Sequence, residues 1–257
     1  MNDPGEARVT SLYVYPVKGL SPQSLDEAAV EAGRTLAFDR AYAIENGGGG
    51  FDENRPEHMP KFKFLMRARH ERLAALDTRF DPDTRMLSIY RHGRKVTGGR
   101  LDTTAGRQII EQFFAAYMQD ELRGPPRLVH APGHSISDVR EKCLSLINLA
   151  SVRDLSRVVG QELDPLRFRA NVYIDGLPAW SEFDWVGRQI GVGDKVVLKV
   201  FKRTQRCAAI NVNPVTAKRD LNLPRDLMRG YNHADLGVYA MVESGGRLAV
   251  GDLLHTG

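Results

Sequence analysis

The stretch Arg167-Phe-Arg-Ala-Asn-Val-Tyr-Ile-Asp-Gly176 carries the pattern that decides the fold of the second half of the chain. It is a short β-rich run that closes on an Asp-Gly turn, which predicts a strand over residues 171–174. From residue 169 onward, similar runs between Gly and Asp turns predict strands at residues 192–200, 207–212, 237–242 and 247–250. Short strands with few helices favour a β-barrel with packed helices over a Rossmann-type sheet.

The first part of the chain is also rich in predicted strands. The alternation of Val9, Leu12 and Val14 predicts a strand that Pro16 ends. Residues 80–93 are typical of a strand, a turn and a second strand. Together these patterns indicate a small barrel.

Helical patterns are fewer. Residues 104–119 place apolar side chains at helical spacing behind Thr103 or Thr104 as the N-cap, and further helices are predicted after Asn148 and over residues 224–228. Gly124-Pro-Pro126 marks the joint between two parts. The predicted fold class is therefore α+β and mostly β, with a small N-terminal β-barrel region over residues 8–123 and a second β-barrel with packed helices over residues 124–257.

Composition and charge restrict the partners. The chain has 257 residues, of which 42% are hydrophobic and 26% charged, and its formal net charge is +4. These values are ordinary for a folded protein that forms one large or two small domains. Its basic clusters are short and mixed with acids, which argues against a nucleic-acid partner. Scattered arginines better suit a phosphorylated small molecule, because a guanidinium pairs with phosphate through two hydrogen bonds.

The spacing of the cysteines and the lack of long apolar runs argue against several other classes of protein. Cys143 and Cys207 are the two cysteines, and their separation argues against a disulfide framework, a zinc site or an iron–sulfur cluster. A polar start without a signal-peptide core, and no run near the ~20 apolar residues of a membrane helix, predict a cytoplasmic protein without a membrane anchor. The sequence also contains no complete dinucleotide fingerprint. Any electrons must therefore come from a separate protein.

Cys207 stands out in the stretch Arg203-Thr-Gln-Arg-Cys-Ala-Ala-Ile-Asn-Val-Asn-Pro214, because Lys202, Arg203 and Arg206 precede it closely. Positive neighbours favour thiolate over thiol, and a thiolate can act as a nucleophile, a sulfur carrier or a ligand for a soft metal. The alternative is a small buried hydrophobic residue. Cys143 lies in no comparable cluster of cations in the sequence.

Several ordered motifs resemble a known family. Residues 167–176, 179–194, 203–214 and 237–252 are similar to the successive motifs of a MOSC domain, and residues 12–19 and 38–44 resemble the N-terminal barrel that precedes it. The same architecture occurs in bacterial molybdenum-dependent reductases of N-hydroxylated compounds and in the mitochondrial amidoxime-reducing component. The resemblance therefore implies a MOSC N-terminal β-barrel region over residues 8–123 and a MOSC-type β-barrel domain over residues 124–257.

The resemblance also implies a function. It implies a molybdenum cofactor (Mo-molybdopterin), reduction of an N-hydroxylated small molecule, and electrons from a separate protein of flavin or ferredoxin type. Pyridoxal phosphate binding is a further property that it suggests. Two alternatives stay open: a non-enzymatic carrier of molybdenum cofactor, or of sulfur as a Cys207 persulfide, and a relative without cofactor that serves as a binding module.

The resemblance assigns roles to individual residues. Cys207 falls on the catalytic position that ligates the metal, and the cofactor-binding positions fall on Lys18, Arg40, Asn148, Ser151, Arg169, Asn171, Arg206 and Cys207. Each role has a plainer alternative: a surface position for Lys18, a salt bridge with Asp39 for Arg40, helix capping for Asn148, and an internal ion pair for Arg169. The sequence departs from the family pattern at Gly19, where relatives have serine, and at Ala170 and Gln205, where relatives have proline.

Overall fold

The computed structural model describes residues 6–256. Within them the chain forms fifteen strands and three α-helices, so the protein is mostly β as predicted. The strands are β1 Arg8–Val14, β2 Gln23–Leu25, β3 Glu27–Val30, β4 Tyr42–Glu45, β5 Asp77–Asp81, β6 Met86–Arg91, β7 Arg94–Arg100, β8 Arg127–His130, β9 Leu144–Asn148, β10 Val172–Asp175, β11 Gln189–Val192, β12 Val196–Gln205, β13 Asp235–Ser244, β14 Gly246–Ala249 and β15 Leu254–Thr256. The helices are α1 Thr104–Tyr117, α2 Leu149–Val159 and α3 Leu223–Tyr231, with short 3-10 helices at Lys61–Lys63, Glu71–Ala75, Gln119–Glu121, Pro165–Phe168, Ser181–Trp185 and Ala208–Asn211.

A curled eight-stranded sheet forms the half-barrel at the centre of the structure. Its strand order is β15-β11-β12-β13-β9-β10-β1-β2. β9 and β10 run parallel, and the other neighbours are antiparallel. Aliphatic side chains from these strands form one large buried cluster, which includes Leu12, Leu146, Ile174, Val200 and Val238.

A three-stranded sheet of order β5-β6-β7 and helix α1 form the core of the first region. Phe80 and Leu87 from the sheet pack with Ile110 and Phe114 from the helix in a second buried cluster. Thr103 caps the helix, because its hydroxyl oxygen accepts a hydrogen bond from the amide of Gly106 at 3.1 Å. The predicted strand pair at residues 80–93 and the predicted capped helix are both confirmed.

Strands from both sides of residue 123 share the large sheet. In that sheet β1 pairs with β10, with Leu12 opposite Val172, and in a separate two-stranded sheet β3 pairs with β14. The Ala7 carbonyl accepts a hydrogen bond from the amide of Leu254 at 2.8 Å. The two sequence regions therefore interlock, and residues far apart in the chain can line one cavity.

Two predicted strands are wrong. Residues 192–200 do not form one strand, because a turn at residues 193–195 separates β11 from β12 and Gly193 adopts a φ of 58° there. Residues 207–212 are not a strand either, since β12 ends at Gln205 and a 3-10 helix follows at Ala208–Asn211. Ala208 and Ala209 favour a helical turn, and Ile210 is buried beneath it.

Candidate functional site

A cavity of about 440 Å³ is lined by residues from both sequence regions. Of the predicted site residues, Lys18, Arg40, Arg169, Asn171, Arg206 and Cys207 line it. Nine described lining residues are cationic and only Asp39 and Asp138 are acidic; the cations are Lys18, Arg40, Lys61, Arg67, Arg167, Arg169, Lys202, Arg203 and Arg206. This charge balance fits an anionic ligand.

Asn148 and Ser151 are placed elsewhere. Both are fully buried, and the Asn148 side chain accepts from the Ala150 amide at 3.0 Å and donates to the Pro178 carbonyl at 2.8 Å. The Ser151 hydroxyl donates to the carboxylate of Glu182 at 2.8 Å. Burial raises the pKa of this Glu182 carboxyl. The structure therefore supports the capping role of Asn148, and neither residue lines the cavity.

Arg40 is held by a network that depends on Asp39 and Asn171. Asp39 Oδ1 accepts hydrogen bonds from the Tyr15 amide at 3.0 Å, from Asn171 Nδ2 at 3.0 Å and from Arg40 Nη1 at 2.6 Å. Asn171 Nδ2 also donates to the Tyr13 carbonyl at 3.1 Å. Both amide hydrogens of Asn171 are thus used within the protein, so Asn171 positions the Asp39–Arg40 pair.

Arg40 and Arg169 share an unusual backbone and a common aromatic neighbour. Their φ angles are 51° and 54°, a region that costs a non-glycine residue roughly 1–2 kcal/mol. Their guanidinium carbons lie 4.3 and 4.4 Å from the ring centroid of Tyr15, which is a cation–π distance. Strained backbone retained at two cavity arginines is typical of a functional site.

Arg67 and Arg169 form a pair of cations without an acid. Arg169 Nη1 donates to the Leu20 carbonyl at 2.7 Å, while Arg67 Nε donates to the Gly19 carbonyl at 3.0 Å and its Nη2 reaches Leu20 at 3.5 Å. Within residues 6–256 neither arginine has a carboxylate partner. Burial, and then repulsion by Arg67, lower the pKa of Arg169 well below its usual value, and burial lowers the pKa of Arg67 to about 10. The internal ion pair considered for Arg169 is absent from this described part of the chain, and both cations lack a counter-charge.

Lys18 is not a surface lysine. Its side chain is 7% exposed, and its ammonium donates to Asp138 Oδ1 at 2.5 Å and to the Ile136 carbonyl at 2.9 Å. Burial lowers the pKa of Lys18, because desolvation of the ammonium outweighs the attraction of Asp138. Burial also opposes ionisation of Asp138, but Lys18 holds the pKa of that carboxyl at about 2. Lys61 lies on the other side, with its ammonium 3.8 Å from Asp138 Oδ2.

Cys207 is the partly exposed thiol of the cavity. It follows β12 and precedes the Ala208–Asn211 turn, and the Arg206 side chain beside it donates to the carbonyls of Leu236 at 2.8 Å and Phe168 at 2.9 Å. Arg206 thus fixes the end of β12. Cys143 unexpectedly lines the same cavity, but burial raises its pKa to about 12 and keeps it a neutral thiol.

Two further lining positions bear on the ligand. The Thr204 hydroxyl is buried and makes no hydrogen bond within the described residues, so it is free for a ligand atom. Gly19 adopts a φ of 84°, and a Cβ there would lie 3.1 Å from the Leu65 carbonyl oxygen. A side chain at this position would be strained, which explains the departure from serine. The uncompensated arginines, the free hydroxyl and the Cys207 thiol together fit a phosphorylated group that carries a thiolate-binding metal.

This β-rich fold with an anion-binding cavity and a partly exposed cysteine defines a class of binding proteins, and two family models identify it further. The model described as the MOSC N-terminal beta barrel domain matches residues 6–122, and the MOSC domain matches residues 120–255. The chain belongs to the MOSC family, which confirms the resemblance. MOSC domains are associated with molybdenum cofactor sulfurase-like or oxidoreductase functions and with molybdenum cofactor binding.

Solved structures give weaker likenesses. The YuaD protein from Bacillus subtilis is 12% identical, with 99% of this chain and 97% of that chain covered and a TM-score of 0.43. YiiM from Geobacillus stearothermophilus is 16% identical, with 43% and 52% covered and a TM-score of 0.35. At these scores neither likeness carries an argument.

Two further expectations concern a second cofactor and a membrane anchor. Pyridoxal phosphate binding is not supported, because neither family description names it and Lys18 is bound to Asp138. Over residues 6–256, none of the helices combines the length and apolar character needed to span a bilayer.

Proposed function

We propose that this protein binds molybdenum cofactor in the cavity and reduces N-hydroxylated compounds there, with electrons from a separate protein. The observation that carries the proposal is the convergence of uncompensated cations and a partly exposed thiol, Cys207, on one cavity of about 440 Å³. Buried cations without counter-charges are costly unless an anion joins them. A cofactor phosphate supplies that anion.

Different residues hold the phosphate and the metal of the molybdenum cofactor in this proposal. Arg67 and Arg169 bind the phosphate, and Arg40 adds a third cation that Asp39 and Asn171 keep in place. The Thr204 hydroxyl donates one further hydrogen bond. Cys207 supplies the thiolate ligand of the metal. When bound, the group would supply a two-electron redox centre for the reduction.

The reaction balances as loss of one oxygen atom. The N–O bond of the hydroxylamine or amidoxime breaks as two electrons come from the donor protein and two protons are taken up. One proton converts the departing hydroxyl to water, and the other goes to the nitrogen. Lys61 lies beside this reaction. Burial opposes its charge, but Asp138 and Cys207 raise the pKa of Lys61, so its ammonium persists and can hydrogen-bond the substrate oxygen. Lys18 is committed to Asp138 and keeps that carboxylate oriented.

Metal analysis and turnover test this proposal together. We expect protein from a host that makes molybdenum cofactor to contain molybdenum and pterin, and to reduce an amidoxime with reduced methyl viologen but not with NADPH alone. Cys207→Ser should abolish turnover with the fold intact, because oxygen is a poorer ligand for a soft centre. Cys143→Ser is the matched control in the same cavity and should keep turnover. Full turnover by Cys207→Ser would contradict the assigned metal ligand.

A carrier role is the second candidate, because Cys207 is a partly exposed free thiol. Full molybdenum loading without turnover from any donor, together with a persulfide on Cys207 detected by mass spectrometry, would favour it. Absence of both molybdenum and pterin from the purified protein would favour a binding module without cofactor. Cytoplasmic location belongs to the same proposal, because a reducing compartment preserves the free thiol.

A further inference from the structure

Exposed cations surround the opening of the Cys207 cavity. Among the lining residues, the side chains of Lys61 and Lys202 are 39% and 42% exposed, and Arg203 is also exposed. Arg69 is exposed next to the lining residue Ala68. We call these residues, together with Lys218 and Arg219, the cationic mouth.

Arg219 fixes a surface loop beside the mouth. Its Nη1 donates to the Ala208 carbonyl at 3.0 Å, next to Cys207, and its Nη2 donates to the Ala68 carbonyl at 2.9 Å. Its Nε lies 3.0 Å from Glu71. These contacts tie the loop that carries Lys218 to the lining residue Ala68 and to Ala208, which follows Cys207.

The loop presents an apolar side chain in an ordered turn. Asn213 Oδ1 accepts from the amides of Val215 at 2.9 Å and Thr216 at 3.1 Å, and the Asn213 amide donates to the Lys218 carbonyl at 2.8 Å. Val215 at the tip is 82% exposed. A preorganised loop loses little conformational entropy when it binds a partner.

The charge of the mouth is only partly balanced. Lys61, Lys202 and Arg219 have acidic neighbours in Asp138, Glu141 and Glu71. Arg69, Arg203 and Lys218 make no ion pair to any residue between 6 and 256. Exposed charges of one sign around a redox site steer an oppositely charged partner and suit a small, transient interface.

We propose that the cationic mouth, with Val215 as its apolar contact, is the docking surface for a small acidic electron-transfer protein. The inference rests on the proposed function, because that reaction needs an external donor close to Cys207. A protein docked here covers the opening through which substrate reaches the cavity. The donor and the substrate therefore visit the site in turn.

Charge reversal outside the cavity lining tests the surface. The variants are Arg69→Glu, Lys218→Glu and Val215→Asp, and the matched control is Arg94→Glu on strand β7, which does not line the cavity. With an acidic plant-type ferredoxin at sub-saturating concentration, we expect the variant that combines Arg69→Glu with Lys218→Glu to be at least tenfold slower than wild type. Its rate with methyl viologen should stay within twofold. The ferredoxin-driven rate of wild type should fall as salt rises toward ~0.15 M.

The outcomes separate this inference from the proposed function. Equal losses in Arg94→Glu and the mouth variants, or a ferredoxin rate that salt does not change, would overturn the docking surface. If methyl viologen drives no turnover of fully loaded wild type, the reductase function fails instead. The binding of oxidised ferredoxin to wild type, to the mouth variants and to Arg94→Glu, measured by calorimetry, then tests the docking surface independently of turnover. No binding to wild type at low salt would overturn it.

Discussion

Replacing Arg67 with Met should weaken phosphate binding while leaving the empty protein about as stable as wild type. Arg67 is 6% exposed and converges with Arg169 on the Leu20 carbonyl. The change removes the hydrogen bond to the Gly19 carbonyl at 3.0 Å, worth about 1.5–3 kcal/mol for a charged donor, and a longer contact to the Leu20 carbonyl at 3.5 Å. It also removes the repulsion between two buried guanidinium groups, which is of similar size and opposite sign.

The loss of Arg67 weakens phosphate binding without a compensating gain. Removing one partner of a buried charge pair costs about 2–5 kcal/mol, so affinity should fall roughly thirtyfold or more. Phosphate at about 100 times its Kd stabilises a protein by about 2.7 kcal/mol, and a thirtyfold weaker Kd leaves about 0.9 kcal/mol. For a chain of this size the difference is a loss of roughly 4–7 °C in the phosphate-induced shift of Tm.

Thermal unfolding with and without inorganic phosphate measures both effects. Arg167→Met is the matched control, because Arg167 is 4% exposed in the same cavity but pairs with Asp220 at 2.8 and 2.6 Å. It should lower the Tm of the empty protein and keep the phosphate shift. A full phosphate shift in Arg67→Met, or an equal loss in Arg167→Met, would refute the reasoning.

Other expected outcomes test the cavity and strand β13, which carries Gly237. Iodoacetamide at pH 8 should alkylate Cys207 and spare Cys143, because a pKa of about 12 leaves roughly one Cys143 thiolate in ten thousand; two labels in the folded protein would contradict this. The same raised pKa means that the stability contribution of Cys143 is full below about pH 8.5 and is lost as pH rises toward 12, so Cys143→Ala should flatten alkaline unfolding curves. Arg169→Ala should lower pterin content about tenfold or more without lowering the Tm of the cofactor-free protein, and failure to fold would assign it a structural role. Gly237→Ala should cost at least ~2 kcal/mol in denaturant titrations, because φ is 76° and a Cβ would lie 2.4 Å from the Leu146 carbonyl oxygen; wild-type stability would argue against that strain.

Local patterns predicted the elements of the fold well. Strand β1, the capped helix α1 and the helix after Asn148 follow from alternation, helical spacing and a capping residue, which are short-range signals. The strand predicted at residues 207–212 was wrong because a short apolar run does not distinguish a strand from the helical turn that forms at Ala208–Asn211. That difference places Cys207 at the start of a turn beside the cavity.

The site was only partly predictable, because its partners are distant in sequence. Cys207 and Arg169 carry visible signals: a thiol among cations, and a charge in an apolar run. Arg67 has no such signal, since its hydrogen-bond partner Gly19 lies 48 residues away. Asp138 is 120 residues from Lys18. Ser151 was misplaced for the same reason, because its partner Glu182 is 31 residues further on.

The pairing of β1 with β10 affects how the chain is made in the cell. The Thr10 hydroxyl donates to the Tyr173 carbonyl, a residue 163 positions later. At ribosomal speeds of about 5–20 residues per second, the first strand waits roughly 10–30 s for its partner to be synthesised. During that time its unpaired edge can join other chains, as any exposed strand edge can. We therefore expect fragments that stop before β10 to aggregate, because the edge of β1 that pairs with β10 stays open in them.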